Sequence, residues 1–129
     1  MTLETKKNIF VELGNFLRQF SEDNTSKNPS VLYNETFFEA FKDLIQLSQS
    51  HNGWYTPENV YFSIQSWAEA LTEHNLNQLL STYVIQIKVP KDIALILAGN
   101  IPLVGFHDFL SVLITRNNVL ILTSSNDQH

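Results

Sequence analysis

The sequence predicts an α/β protein in which a helical first part, residues 1–82, feeds a small α/β part, residues 83–129, built around one βαβ unit at Asp92–Asp127. Three observations predict it. Apolar residues recur at helical spacing, with recognisable helix starts, through the first part. A two-residue alternation replaces that spacing at Tyr83–Val89. Two short apolar runs, Ile93–Ala98 and Val119–Leu122, then flank one further helical pattern.

The elements follow in order. Over Met1–Phe20, Leu3, Ile9, Phe10, Leu13, Phe16, Leu17 and Phe20 form one apolar face, and Lys6, Lys7, Glu12 and Arg18 form the polar one. Gly14 weakens this helix modestly. Ser21–Ser30 is polar, contains Asn28-Pro29 and reads as a loop. Asn34 is placed to cap a second helix whose inner face carries Phe37, Phe38, Phe41, Leu44 and Ile45, and His51-Asn52-Gly53 ends it. Thr56-Pro57-Glu58 is a strong helix start, with Thr56 as N-cap and Pro57 at the first helical position. That third helix carries Val60, Phe62, Ile64, Trp67, Ala68 and Leu71, and Thr72–Leu80 either continues it or forms a short fourth. Tyr83–Val89 reads as a half-exposed or edge strand that Pro90 stops.

In the βαβ unit the first apolar run is broken by Gly99-Asn100. A helix is expected from Ile101 to Thr115, and Asn117-Asn118 lead into the second run. Both runs are apolar at nearly every position, which predicts strands buried on both faces in a parallel sheet. A right-handed crossover would bring both strand C-termini to one edge. Asn100 and Thr123–Ser125 are therefore expected at a common rim, where open α/β sheets bind ligands. Two strands joined by one helix leave an unpaired apolar edge, so self-association or a covering partner strand is expected.

Composition excludes several functions. Apolar residues at 43% support a core, and charged residues at only 16% rule out a disordered or coiled-coil composition. A net charge of −5 without a basic cluster argues against nucleic-acid binding. The chain has no cysteine, hence no disulfide, thiolate metal site or cysteine nucleophile of its own. No apolar run reaches membrane-spanning length and no signal core follows Lys6-Lys7, so a cytoplasmic location is expected. Neither Gly-x-Gly-x-x-Gly nor a P-loop is present. His51, His74 and His129 lack ligand spacing, so no metal site is expected. His107 and Asp108 are adjacent and diverge by about 100° on a helix. Trp54, Trp67 and the phenylalanines read as packing residues.

Two places could carry chemistry. Asn100 has a carboxamide at a helix entrance, suited to donating to a developing oxyanion beside backbone N–H groups; the plainer alternative is a helix cap. Thr123, Ser124 and Ser125 carry small hydroxyls just past a strand, suited to ribose or phosphate oxygens; the plainer alternative is a loop bonding its own backbone.

The stretch AGNIPLVGFHDFLSVLITRNNVLILTSSND resembles the LuxC-like acyl-CoA (fatty acid) reductases, a branch of the aldehyde dehydrogenase superfamily. The resemblance rests on Asn100-Ile101-Pro102 after the first strand and on Ser124–Asp127 after the second; WAEALTEHNL upstream is more weakly similar. It implies that residues 83–129 begin an aldehyde-dehydrogenase-like nucleotide-binding domain that continues past His129. It implies an oxidoreductase that reduces an acyl-CoA or acyl-protein thioester to an aldehyde with NADPH through an acyl-cysteine intermediate. Asn100 would stabilise the oxyanion, and Gly99, Asn100, Thr123, Ser124 and Ser125 would line the cofactor rim. The nucleophilic cysteine would lie outside these 129 residues, so the isolated chain is expected to be inactive. One position departs from the pattern: the family usually has a cofactor-contacting lysine where this chain has Leu122. The alternative is a non-catalytic helical interaction module.

Overall fold

The computed structural model describes residues 1–86 and 89–125. In chain order these form α1 (Leu3–Leu17), α2 (Asn34–His51), α3 (Pro57–Ala70), α4 (Glu73–Ser81), β1 (Asp92–Ile96), α5 (Phe106–Ile114) and β2 (Asn118–Leu122). At this level the α/β expectation holds: five helices accompany a two-stranded parallel sheet. None of the described helices is long and apolar enough to cross a membrane.

Three helices start in the same way. Thr2, Thr56 and Thr72 each accept, at the side-chain oxygen, the N–H of the residue three positions on, satisfying a donor the helix itself leaves unpaired. Thr56-Pro57 is the start read from the sequence, and residues 73–81 prove to be a separate fourth helix. Asn34 is not the cap of α2. Tyr33 takes that position with a left-handed φ of 65°, and Asn34 lies buried inside the first turn. Its carboxamide pairs reciprocally with that of Gln19 at 2.8 Å in each direction and also donates to the Asn28 carbonyl. A buried amide pair of this kind is favourable because every donor and acceptor finds a partner. It pins the 21–30 loop against α1 and α2.

The core lies where α1 crosses α3. Phe10, Phe16, Leu17, Phe20, Ile64, Ala68 and Leu71 are buried there, joined by Phe38 of α2 and Leu76 of α4. Phe20 is 1% exposed, with ring centroids 5.2 Å from Phe16 and 4.9 Å from both Phe38 and Phe41. Leu110 and Ile114 of α5 enter the same cluster. Phe106 packs edge-on to Trp67 at 4.6 Å, and the Lys6 ammonium of α1 donates to the Leu113 carbonyl at 2.6 Å, at the negative end of α5.

Several residues read as packing residues prove exposed. Phe37 and Phe62 on the helical patterns, and Trp54 in the turn between α2 and α3, are more than half exposed, so they are not core residues. Lys7 departs in the opposite sense. It is 5% exposed, and its ammonium reaches Asn77 Oδ1 at 2.9 Å and Glu4 at 2.8 Å, under α4.

Gly14 has a structural reason that helix propensity misses. A Cβ built there would lie 2.8 Å from Leu71 Cβ and closer still to the Leu71 carbonyl oxygen, because α1 meets the end of α3 at this point. The obstacle is backbone, so it cannot rotate away. Gly14→Ala is therefore expected to destabilise the protein by about 1–3 kcal/mol through overpacking. Helix propensity alone would make the same change stabilising by about 1 kcal/mol, so the sign measured in urea unfolding decides between the two.

β1 and β2 pair in parallel from Asp92↔Asn118 to Ile96↔Leu122, and the Leu97 N–H extends the ladder to the Leu122 carbonyl at 2.9 Å. Burial on both faces is not observed. Ile93, Leu95 and Val119 are half-buried on the side of α5, but Ile96 is 83% exposed on the other, with Leu120 and Leu122 also largely exposed. The apolar runs have the composition of doubly covered strands, yet the described residues supply one crossover helix, and one helix covers one face. Among the described residues of the expected strand Tyr83–Val89, none joins the sheet. Tyr83–Gln86 and Val89 are irregular, with Val84 and Val89 almost fully exposed, while Ile87 and Lys88 lie outside the described residues.

Candidate functional site

The parallel register carries the Gly99-Asn100 turn and the Thr123–Ser125 segment out of the sheet at the same edge. Each begins within three residues of the Leu97–Leu122 hydrogen bond that ends the ladder. Residues that the sequence placed at a common rim are thus brought to one. Gly99 is buried, Asn100, Thr123 and Ser125 are exposed, and Ser124 is half-buried. Asn126 and Asp127, the end of the SSND motif, lie outside the described residues.

Asn100 is not a helix cap. The chain makes turns from residue 101 to 105, α5 starts only at Phe106, and Gly105 occupies its N-cap without a side-chain bond. Pro102 is buried within these turns, and Leu103 takes a left-handed φ of 58°, an uncommon conformation for a bulky residue. The N–H groups of Val104 and Phe106 are spent inside the turns, on the Ile101 and Leu103 carbonyls. The expected array of helix N–H groups beside the Asn100 carboxamide is therefore displaced by one to two turns of chain. What remains at Asn100 is an exposed primary amide on a braced turn.

The brace is Asn52, which the sequence offered only as helix punctuation. Its Nδ2 donates to the Gly99 carbonyl at 2.7 Å, and its Oδ1 accepts from the Trp54 backbone. Asn52 is buried and is also the C-cap of α2, so the end of α2 is tied directly to the turn that presents Asn100. A second close approach sets the turn from the other side. A Cβ at Gly105 would collide with the Leu97 side chain, so the loop lies directly on the last residue of the ladder.

Between these supports opens a cleft of about 380 Å³. Phe41, Leu44 and Ile45 of α2 form one wall, Val60 and Ile64 of α3 the floor, and Leu97, Pro102–Phe106, Phe109 and Ile121 the other wall. Its polar lining is Ser48, His51 and Asn52, with Tyr55 beside them. The size is that of an ordinary small-molecule site. Helical periodicity identified the α2 wall as an inner face. The opposite wall is not legible in the sequence, because residues 101–105 continue the helical apolar pattern yet form turns.

His107 and Asp108 lie on the outer side of α5, both about 70% exposed and 3.7 Å apart, away from the cleft lining. Among the described residues no group of three or more His, Asp or Glu side chains is assembled to hold a metal ion.

Comparison with known proteins matches the chain to no protein family, no curated protein and no solved structure.

Proposed function

We propose that this chain is the N-terminal part of a LuxC-like acyl-CoA reductase, with residues 83–129 opening an aldehyde-dehydrogenase-like nucleotide-binding domain. The observation that carries the reading is the common rim: a parallel βαβ unit brings Gly99-Asn100 and Thr123–Ser125 to the same sheet edge. In this reading Thr123, Ser124 and Ser125 meet the ribose and phosphate oxygens of NADPH. Asn100 donates its amide N–H to the oxyanion formed when a thiolate attacks the acyl thioester. These 129 residues hold no cysteine, so the thiolate comes from elsewhere. The apolar outer face at Ile96 and Leu120 is then sheet surface that the rest of the enzyme, or a second copy, covers.

Position 122 supplies the test. Leu122 ends β2 at the rim and is 64% exposed, so a lysine there is tolerated by the packing and placed to reach an anionic cofactor. NADPH titrated into the chain is expected to bind weakly, and Leu122→Lys to tighten it about tenfold or more, as a charge-assisted hydrogen bond of about 1.5–3 kcal/mol implies. Thr123→Val in the Lys background should reverse part of that gain. Saturation by NADPH at the same concentration in both chains, or no binding by the Lys variant at millimolar cofactor, overturns the reading.

A further inference from the structure

Asn52 is followed by glycine, and no other asparagine in the chain is. That pair carries chemistry of its own. The backbone nitrogen that follows an asparagine can attack the carboxamide and close a five-membered imide, and glycine has no side chain to shield its nitrogen. Gly53 is exposed, and a Cβ built there would meet nothing within 4 Å. Its N–H takes part in no hydrogen bond among the described residues. The nucleophile is therefore open.

The fold holds the other half of the pair back. Asn52 is extended, at φ −143° and ψ 110°, which turns the Gly53 nitrogen away from the carboxamide carbon. Its carbonyl accepts the Tyr55 N–H at 2.9 Å, and its Nδ2 donates to the Gly99 carbonyl at 2.7 Å. Attack requires the Asn52-Gly53 peptide to rotate, which breaks the Tyr55 bond and withdraws the carboxamide from Gly99. The reaction is thus tied to opening of α2 from the turn that presents Asn100.

We propose that Asn52-Gly53 is a self-modification site that reacts when the end of α2 leaves the 99–105 turn, and whose reaction prevents the turn from closing again. The Gly53 nitrogen loses its proton to hydroxide and bonds to Asn52 Cγ. The Cγ–Nδ2 bond breaks, and ammonia leaves with a proton from water. Water then opens the imide at either carbonyl, leaving aspartate or its β-linked isomer at position 52. Both products exchange the amide donor for a carboxylate. In the closed position that carboxylate would be buried against the Gly99 carbonyl and the negative end of α2, and both repel it. The proposal is independent of the reductase reading.

The test is incubation of the 129-residue chain at 37 °C and pH 8, in buffer and in urea above its unfolding transition, followed by peptide mapping with mass spectrometry. In urea Asn52 is expected to convert before any other asparagine. In buffer its conversion should be slower by about tenfold or more, the factor set by local opening. Leu97→Ala removes the side chain that presses on Gly105, and should speed conversion in buffer while leaving the urea rate unchanged. Gly53→Ala adds a methyl that meets nothing, so it folds like the parent and should slow conversion about tenfold or more in both conditions. Asn52→Asp, one product made directly, should melt lower and lose hydrogen-exchange protection at the Val104 and Phe106 N–H groups while α1 keeps its own. If Asn52→Asp does not fold, Asn52→Ala carries the same measurement, since it also lacks the donor. Another asparagine converting first in urea, equal rates in buffer and urea, or turn protection unchanged in the folded position-52 variant overturns the proposal. So does a folded Leu97→Ala chain that converts no faster than the parent.

Discussion

Asn100→Ala, made in a full-length LuxC-like reductase carrying this segment, is expected to lower turnover about 10²–10³-fold while leaving stability unchanged. The loss corresponds to roughly 2.7–4 kcal/mol of transition-state stabilisation, the usual cost of removing one oxyanion donor. Stability should move by no more than about 0.5 kcal/mol, because the side chain is exposed and caps nothing. The sequence alone allows a capping loss of about 1 kcal/mol as the competing expectation. With the helix starting at Phe106 that competitor is gone, and turnover alone decides. Asn100→Asp sharpens the measurement: a carboxylate has no N–H to offer and repels the oxyanion, so it should be at least as damaging as Ala. An Asp or Ala variant that turns over like the parent removes Asn100 from the chemistry, and with it the main catalytic assignment in the proposed reading.

Phe20→Ala is expected to cost about 3–5 kcal/mol of folding stability. Phe20 is almost fully buried and touches the rings of Phe16, Phe38 and Phe41, so its removal empties the junction of α1 with α2. Against a typical total of about 5–15 kcal/mol, that is enough to leave the chain largely unfolded at moderate urea. Phe62→Ala is the matched control. Both residues sit on apolar helical patterns, but Phe62 is 73% exposed and should change stability by no more than about 0.5 kcal/mol. Equal losses from the two substitutions would contradict the packing described for the core.

The sequence by itself determined what local chemistry can encode. Thr56-Pro57 specifies a helix start whether or not the helix has neighbours, since the cap bond closes within four residues. The paired apolar runs, the break at Gly99-Asn100 and the intervening amphipathic pattern specify a parallel βαβ unit, because two strands joined through a helix pair in this way. The common rim of Asn100 and Thr123–Ser125 follows from that topology.

Tertiary structure decided the rest, and each case has a physical cause. Gly14 looks like a weak helix residue until the Leu71 backbone arrives against it from 57 positions away. Lys7 shares the polar spacing of Lys6, but α4 folds over it and supplies Asn77. Phe20 and Phe62 are indistinguishable by period, and only the placement of neighbouring helices buries one of them. Ile101–Gly105 has a helical apolar pattern but spends its backbone bonds in turns, because Asn52 holds the Gly99 carbonyl and Leu97 presses on Gly105. The cleft is the product of that last event: its two walls come from segments some 50 residues apart, and no local spacing records the distance between them.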